Sequence, residues 1–180
     1  MEQLRVRPST EKDLAEITRI YAHYVQHSTA TFELEPPSID EMAKRRANIL
    51  ALGLPHLVAE RGGTIFGYAY ASTYRPRPGY RFTVEDSVYI DPQHVGHGCG
   101  QALLAAVIEL CEQGPWRQMI AVIGGSDNTA SIRLHERFGF RHIGTLSSVG
   151  FKLNRWVDTV LMQREFGSGG TASPGNQEKQ

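Results

Sequence analysis

The segment YIDPQHVGHGCGQALL, residues 89–104, joins a β-like run to an apolar helical run through a glycine-rich turn. Gly96, Gly98 and Gly100 occupy alternate positions in this turn. Glycine adopts positive φ and lets a ligand approach the main chain, whereas its entropic cost makes a cluster of glycines unfavourable in an ordinary turn. The spacing therefore predicts a strand-to-helix turn whose backbone lies against a ligand. A flexible surface turn is the alternative.

On either side of this turn, the chain mixes strand and helix patterns. The run YRFTVEDSVYI, residues 80–90, predicts a strand, and Leu103, Leu104 and Val107 mark one face of the following helix. Gly62 and Gly63 predict a hairpin between two β-rich runs. Further helices are predicted from near Thr10, from Ser38 and over 126–139, and further strands at 4–8, 117–124, 140–146 and 155–165.

The glycine turn is suited to a phosphate ester. A turn that leads into a helix presents unpaired backbone N–H groups at the positive end of the helix dipole. A mononucleotide P-loop would need lysine and a hydroxyl residue after the last glycine, but Gln101 and Ala102 follow Gly100. A dinucleotide turn needs G-x-G-x-x-G, and no register of these glycines supplies it. We therefore expect a phosphate-bearing ligand of neither class.

Length and charge predict one domain. The chain has 180 residues, 41% of them hydrophobic, which is enough for a single sizeable core. We expect this domain over residues 1–166 and a disordered tail over 167–180, because the tail has almost no apolar residue. Nineteen basic and nineteen acidic side chains cancel, which argues against a nucleic-acid partner.

Cysteine and histidine usage argues against several kinds of site. Cys99 and Cys111 have no CxxC spacing, and the seven histidines lack paired ligand spacing, so we expect neither a disulfide framework nor a metal. No apolar run approaches a membrane span, and the N-terminal residues lack the apolar core of a signal peptide. A soluble, cytoplasmic protein with no membrane partner is expected.

Two motifs together carry a family resemblance. The pattern Q-x-x-G-x-G is occupied by Gln93, Gly96 and Gly98, and it resembles the pyrophosphate loop of the GCN5-related N-acetyltransferases (GNAT). The segment NTASIRLHERFGF, residues 128–140, resembles the second cofactor segment of that superfamily. With TFELEPPS, YRFTVEDSVYIDP, IAVIG and VGFKLNRWVDTVLMQ, the chain looks like the phosphinothricin acetyltransferase family over residues 3–166. His135 replaces the tyrosine usual in the wider superfamily, in agreement with the narrower family.

The resemblance implies a fold, a co-substrate and an acceptor. The fold is the mixed α/β (α+β) GNAT fold, in which flanking helices pack on a central, mostly antiparallel, twisted sheet with a splayed strand pair. The acetyl donor is acetyl-CoA, and the acceptors are small amino-acid analogues such as L-methionine sulfoximine, L-methionine sulfone or phosphinothricin. Acetyl-CoA contacts are implied at Val88, Tyr89, Ile90, Gln93, His94, Val95, Gly96, His97, Gly98, Cys99, Gly100, Gln101, Asn128 and Ser131. The family forms dimers, and the apolar last strand with Trp156 is a candidate surface for a homodimer.

Acetyl transfer to an amine requires a base, because the ammonium group of an amino acid is mostly protonated at neutral pH. Glu85 interrupts the strand just before SVYI and matches the catalytic glutamate of the family. Asp86, on the opposite face of the strand, is the competing candidate. A solvated strand carboxylate without a catalytic role is the alternative.

Three further residues are candidates for the chemistry. His135 could orient the substrate, relay a proton or protonate the departing thiolate, or it could be an ordinary hydrogen-bonded helix residue. Val88 is expected to offer a free backbone N–H to the oxyanion where the strand splays. Cys99 lies at a helix N-terminus, where we expect a lowered thiol pKa that would permit an acyl-cysteine route. The resemblance instead implies direct transfer in a ternary complex.

A basic loop before the Glu85 strand is the candidate acceptor site. Arg75 and Arg77 lie two apart in STYRPRPGYRF, so both guanidinium groups can project from one side of an extended backbone and hold a carboxylate. A solvated loop is the alternative. As the resemblance implies, Phe32 and the stretch from Val149 to Lys152 enclose an apolar stem, and the strand lines the acceptor site with Glu85, Asp86 and Ser87.

Two rival functions remain. An acetyltransferase of the same fold that modifies a protein N-terminus or another amine would need an open, acidic acceptor groove. A non-catalytic CoA-binding sensor would bind acetyl-CoA without turnover. The presence of Glu85 and the complete glycine loop argue against the sensor.

Overall fold

The computed structural model describes residues 2–174, which form a seven-stranded sheet and four α-helices. The strands are β1 Arg5–Pro8, β2 His56–Arg61, β3 Thr64–Thr73, β4 Thr83–Ile90, β5 Gln118–Gly124, β6 Arg141–Lys152 and β7 Arg155–Glu165. Their order across the sheet is β1-β2-β3-β4-β5-β7-β6. Neighbouring strands are antiparallel except for β4 and β5. This confirms the mixed, mostly antiparallel sheet of the GNAT fold.

The four α-helices in the described residues are α1 Leu14–His27, α2 Ile39–Ala51, α3 Cys99–Glu112 and α4 Thr129–Arg137. Of these, α2 and α4 begin at a side-chain cap. Ser38 caps α2 by accepting a hydrogen bond from the N–H of Glu41 at 3.2 Å, and Asn128 caps α4 through the N–H of Ser131 at 3.3 Å. Within residues 2–174, none of the helices has the length and apolar composition needed to cross a membrane.

The helices pack on both faces of the sheet. Leu103 and Leu104 of α3 are fully buried in the core on one face, which α4 extends. Ile17 and Ile20 of α1 are equally buried on the other face, where they meet Tyr68 of β3. Each large apolar side chain buried in this way contributes roughly 2 kcal/mol. The two layers therefore hold the central strands firmly in place.

The strands β4 and β5 pair over only part of their length. Residues 83–86 of β4 pair in parallel with residues 118–121 of β5, whereas β4 continues to Ile90 and β5 to Gly124. The two strands separate at their C-terminal ends, as the resemblance to the GNAT fold implies. This separation opens a cleft in the middle of the sheet.

Two strands differ in length from the sequence prediction. The strand β4 begins at Thr83 and not at residue 80, because Pro78–Tyr80 form a 3-10 turn. The strand β6 continues to Lys152, past residue 146, because a bulge with a register shift between Leu146 and Gly150 lets it resume pairing. The N–H of Ser148 in this bulge donates to Asp158 of β7 at 2.9 Å. The local sequence pattern does not predict this interaction.

The C-terminal residues that the structure describes form turns. Phe166 is buried, and the N–H of Gly169 donates to its carbonyl at 2.9 Å. The prediction of a disordered tail over 167–180 extends to residues 175–180, which lie outside the described residues.

Candidate active site

The cleft between β4 and β5 has a volume of about 240 Å³. It is lined by the separated ends of both strands, by α4 and by Tyr24 of α1. The predicted site residues that meet in it are Asp86, Ser87, Val88, Tyr89, Ile90, Val95, Asn128, Ser131 and His135. Sequence reasoning missed Tyr24, whose hydroxyl donates to the carbonyl of Ile90 at 2.6 Å and so satisfies a backbone group in the cleft.

The backbone N–H of Val88 faces this cleft. Just after β4, the N–H of Asp91 donates to the carbonyl of Phe66 in β3 at 2.8 Å, so the N–H groups of odd-numbered positions of β4 point toward β3. Even-numbered positions then face β5, and the ladder between β4 and β5 ends at Asp86. The N–H of Val88 has no ladder partner on the cleft side, which is the arrangement an oxyanion donor needs.

Two of the three glycines have a left-handed backbone. The φ angle is +82° at Gly96 and +75° at Gly98, whereas Gly100 lies inside the first turn of α3. A Cβ at Gly96 or Gly98 would meet no protein atom within 4 Å. The turn therefore leaves open space at the N-terminus of α3, where backbone N–H groups lack intrahelical partners.

The buried carboxylate of Asp91 holds the first residues of the glycine turn in place. Asp91 is 2% exposed and accepts a hydrogen bond from the N–H of Gln93 at 3.0 Å. The same side chain forms an ion pair with Arg19 of α1. Sequence reasoning missed this pair, because it joins segments distant in the chain.

A groove of about 360 Å³ continues from the cleft along the turn. Gly96 and Gly98 line one side of it, and Arg133 and Arg137 of α4 line the other. Both arginines are exposed, one helical turn apart, and neither forms an ion pair with another described residue. Arginines opposite an open helix N-terminus suit a phosphate. Sequence reasoning missed both, although their i, i+4 spacing was an available signal.

The other side chains of the turn are engaged locally. His94 stacks on Phe66 with ring centroids 3.9 Å apart, and Nδ1 of His97 lies 3.0 Å from the carbonyl of Val95. Burial raises the pKa of the Cys99 thiol to about 12. The expectation of a lowered thiol pKa was wrong, because burial disfavours the charged thiolate. The acyl-cysteine route thereby loses its support.

Glu85 lies on the α1 face of β4 beside the cleft. Val84 belongs to the core under α3 and Tyr89 to the core under α1, so alternation puts Glu85 and Ser87 on the α1 face. Burial, followed by the charge of Asp86, raises the pKa of Glu85 to about 7. A carboxyl group with this pKa is poised to accept a proton from an ammonium at neutral pH.

Asp86 and His135 form a buried pair on the opposite face of β4. Nε2 of His135 lies 3.0 Å from Oδ2 of Asp86, and Nδ1 lies 2.7 Å from the carbonyl of Ser131. Burial by itself lowers the pKa of His135, but the charge and hydrogen bond of Asp86 raise it above its ordinary value. Asp86, predicted to line the acceptor site, is instead 6% exposed and committed to His135.

The structure links the predicted acceptor arginines to the site unequally. Arg75 is exposed beside the ring of Tyr74, 5.1 Å from its centroid, and its charge acts on Glu85 by lowering the pKa of that carboxyl. Arg77 is exposed just before the 3-10 turn and has no hydrogen bond with another described side chain. The loop therefore brings Arg75 toward Glu85 without a comparable link for Arg77.

The remaining residues predicted for the acceptor site meet at β6. The ring of Phe32 lies directly against Gly150, and Val149 in the bulge is 56% exposed. Lys152 is buried, and its Nζ donates to the carbonyl of Thr31 at 2.6 Å. Phe32 and Val149 are open to an acceptor, whereas the Lys152 ammonium instead holds the segment after α1 against β6.

A cavity of about 300 Å³ adjoins Glu85 on the α1 face. Ser72, which pairs with Glu85 in the register of β3 and β4, lines it together with Tyr70 and Arg45. None of these three residues was predicted. Their side chains come together only when α2 packs on β3.

Comparison with known proteins identifies the family. A family model described as the acetyltransferase (GNAT) domain matches residues 6–161. The chain therefore belongs to the GNAT acetyltransferases.

The narrower resemblance, to the phosphinothricin and methionine sulfoximine N-acetyltransferases, is also confirmed. The chain is 56% identical over 169 residues to phosphinothricin N-acetyltransferase of Alcaligenes faecalis, covering 94% of this chain and 86% of the relative. It is 38% identical over 163 residues to L-methionine sulfoximine/L-methionine sulfone acetyltransferase of Salmonella typhimurium, covering 91% and 95%. The crystal structure of a GNAT superfamily phosphinothricin acetyltransferase from Sinorhizobium meliloti in complex with AcCoA matches with a TM-score of 0.93 and 43% identity, covering 97% of this chain and 94% of that one.

Proposed function

We propose that this protein transfers the acetyl group of acetyl-CoA to the α-amino group of small amino-acid analogues such as phosphinothricin, L-methionine sulfoximine and L-methionine sulfone. The relatives described above are named for these acceptors. The observation that carries the proposal is the continuity of β4, the glycine turn and α3. Within this single unit lie a carboxyl group poised to ionise near neutral pH, a cleft-facing N–H without a ladder partner, and an open phosphate turn.

The residues around the turn fit the diphosphate of acetyl-CoA. The open space at Gly96 and Gly98 would admit phosphate oxygens to the backbone N–H groups, and Arg133 and Arg137 would supply positive charge from the facing helix. The cleft lined by Asn128 and residues of β4 would hold the pantetheine arm. Bound there, acetyl-CoA supplies the thioester: a C–N bond to the acceptor forms, the C–S bond breaks, and the products are the N-acetyl amino acid, the CoA thiol and one proton.

Each proposed catalytic group has one task. Glu85 removes a proton from the acceptor's ammonium and passes it to solvent, which leaves a nucleophilic amine. The N–H of Val88 donates a hydrogen bond to the thioester oxygen, where negative charge develops. His135, which lines the cleft, acts on the negative charge that leaves with the sulfur.

The acceptor is held, in this proposal, by Arg75 and Arg77 through its carboxylate or its phosphinate, sulfone or sulfoximine oxygens. Phe32 and Val149 enclose its apolar stem. Support comes from the exposure of both arginines and the action of the Arg75 charge on Glu85. An ammonium group beside Glu85 then lies within reach of the cleft.

We further propose that residues 1–166 are the catalytic domain and that two copies form a homodimer through β6 and β7. The support is a cluster of apolar side chains on this hairpin, each about half exposed or more: Ile143, Leu146, Val149, Phe151, Leu153 and Trp156. Exposed clusters of this kind mark interaction surfaces. Light scattering should give the mass of a dimer, and a monomer at working concentration would contradict this part of the proposal.

A thiol-release assay with acetyl-CoA and a panel of amines tests the function. We expect turnover with the three amino-acid analogues, little with peptides, and none with DNA-bound or aminoglycoside amines. Efficient acetylation of a peptide N-terminus without activity on the analogues would show that the acceptor site is misassigned. Binding of acetyl-CoA without turnover of any amine would favour the sensor.

A further inference from the structure

Asp86 is buried between two groups that the proposed reaction uses. Its side chain is 1% exposed and pairs with His135 on the α3 face of β4, while the preceding residue, Glu85, lies on the opposite face of the same strand. A carbonyl oxygen at Nδ1 and a carboxylate oxygen at Nε2 both accept hydrogen bonds, so His135 satisfies the two only when both of its ring nitrogens carry protons. The geometry therefore favours the imidazolium form.

The surroundings leave Asp86 as the main charge acting on His135. Phe140 packs its ring edge-on against the imidazole with centroids 4.9 Å apart, and Ser131 contributes only neutral groups. The titratable group of α3 that is coupled to Asp86 is Cys111, whose thiol stays neutral because burial, followed by the charge of Asp86, raises its pKa to about 12. The strand neighbours of Asp86 in β3 and β5 are the alanines Ala71 and Ala121.

The second oxygen of Asp86 strengthens this effect. Oδ1 is buried and has no hydrogen-bond partner among the described residues. In a low-dielectric site, a carboxylate with few hydrogen-bond donors around it is less screened. Its charge therefore acts more strongly on neighbouring ionisable groups. That charge acts on Glu85 as well, where it disfavours a second negative charge, and Arg75 is the opposing charge.

We propose that Asp86 is a positioning residue that couples the proposed base to His135, because its one buried carboxylate pairs with the imidazolium on one face of β4 and acts on the Glu85 carboxyl on the other. The cationic ring faces the cleft and stabilises the negative charge that collects on the sulfur as the C–S bond breaks. The thiolate then takes its proton from solvent, so no proton leaves His135. This inference rests on the proposed function and assigns the protonation states of the same site.

The test is the pH dependence of kcat/KM for L-methionine sulfone in the wild type and in Asp86→Asn. The acidic limb of the kcat/KM profile reports the ionisation of Glu85. Its midpoint should move to lower pH in Asp86→Asn, because the negative charge that raises the pKa of Glu85 is removed. The basic limb reports loss of the His135 cation, and its midpoint should fall by about one pH unit because the stabilising anion is removed. Titration of the acceptor amine is identical in both enzymes and cannot produce the difference.

Two variants serve as controls. Glu109→Gln removes the same charge from the exposed surface of α3 and should leave both midpoints unchanged. His135→Asn should abolish the basic shift caused by Asp86→Asn while preserving the acidic one. Unchanged midpoints in Asp86→Asn, with a higher KM for the acceptor, would overturn the proposal and return Asp86 to a substrate-binding role.

NMR titration of the His135 ring nitrogens needs no turnover and no variant. We expect His135 in the wild type to remain cationic above pH 6.5, the ordinary midpoint of an imidazole. Titration below that value would overturn the proposal even if Asp86→Asn fails to fold. A wild type that acetylates no amine but shows a cationic His135 would contradict the proposed function and leave the coupling intact.

Discussion

The proposed cofactor side and the proposed acceptor side of the site are built from different parts of the chain. The cofactor side is one continuous stretch from β4 through the glycine turn into α3, and its working groups are mainly backbone amides. The acceptor side collects side chains from three distant segments, represented by Phe32, Arg75 and Val149, and all three are exposed. A backbone site is sensitive to the space around the main chain, whereas a side-chain site is sensitive to the identity of each residue.

The largest effect is expected from Gly98→Val on the cofactor side. The new Cβ meets no protein atom, so the fold should survive, but the side chain fills the space proposed for a phosphate oxygen. Calorimetric titration should detect no binding of acetyl-CoA.

Gly53→Val is the matched control for this change. Gly53 at the end of α2 has a φ of +71° and equally open surroundings, so it suffers similar backbone strain away from the turn. Unchanged acetyl-CoA affinity in a folded Gly98→Val protein, or an equal loss in Gly53→Val, would contradict a backbone-built phosphate site.

Glu85→Gln should have the next largest effect. It keeps the shape of the side chain but removes the proton acceptor, so kcat at neutral pH should fall on the order of a hundredfold or more with little change in acetyl-CoA affinity. The loss should shrink at high pH, where more of the amine is already neutral. A turnover rate within a few-fold of the wild type at pH 7 would exclude Glu85 as the base.

Arg75→Ala and Arg77→Ala should have smaller effects, confined to the acceptor. Each contact is made in both the ground state and the transition state, so the acceptor KM should rise, about tenfold for Arg75, while kcat changes little. Arg77→Ala should cost less, because the structure does not connect it to Glu85. Arg5→Ala, an exposed arginine on β1, is the control. A fall in kcat without a change in KM would show that the loop acts on the chemistry instead.

The same contrast explains what the sequence could predict. The glycine turn, the start of α2 at Ser38, and the splay of β4 from β5 depend on local residue order or on the family resemblance, and all agree with the structure. The Asp86–His135 pair, Arg19–Asp91 and the commitment of Lys152 to backbone carbonyls depend on packing between distant segments. The spacing of residues along the sequence does not predict such contacts. Burial, which is likewise a tertiary property, reversed the predicted pKa shift of Cys99.

A further effect of Glu85 is on stability and is specific to pH. The folded-state pKa of Glu85 is about 7, above the ordinary value of about 4.3 in an unfolded chain. Its contribution is therefore complete below that ordinary value and is lost as pH rises through 7. Glu85→Gln should be more stable than the wild type by about 1–3 kcal/mol at pH 8 and nearly equal to it at pH 4. Denaturant unfolding at both pH values measures this difference. If the two proteins differ in unfolding free energy by the same amount at pH 4 and pH 8, burial does not raise the pKa of Glu85.

The most direct test of a base poised by burial is the pH dependence of acetyl transfer itself. With acetyl-CoA saturating and L-methionine sulfone as acceptor, kcat/KM of the wild type should rise with pH through a midpoint near 7, the pKa of Glu85. In Glu85→Gln, this limb should disappear. A limb near 7 that persists in Glu85→Gln, or a wild-type midpoint near the ordinary glutamate value, would contradict the assignment of Glu85 as the base.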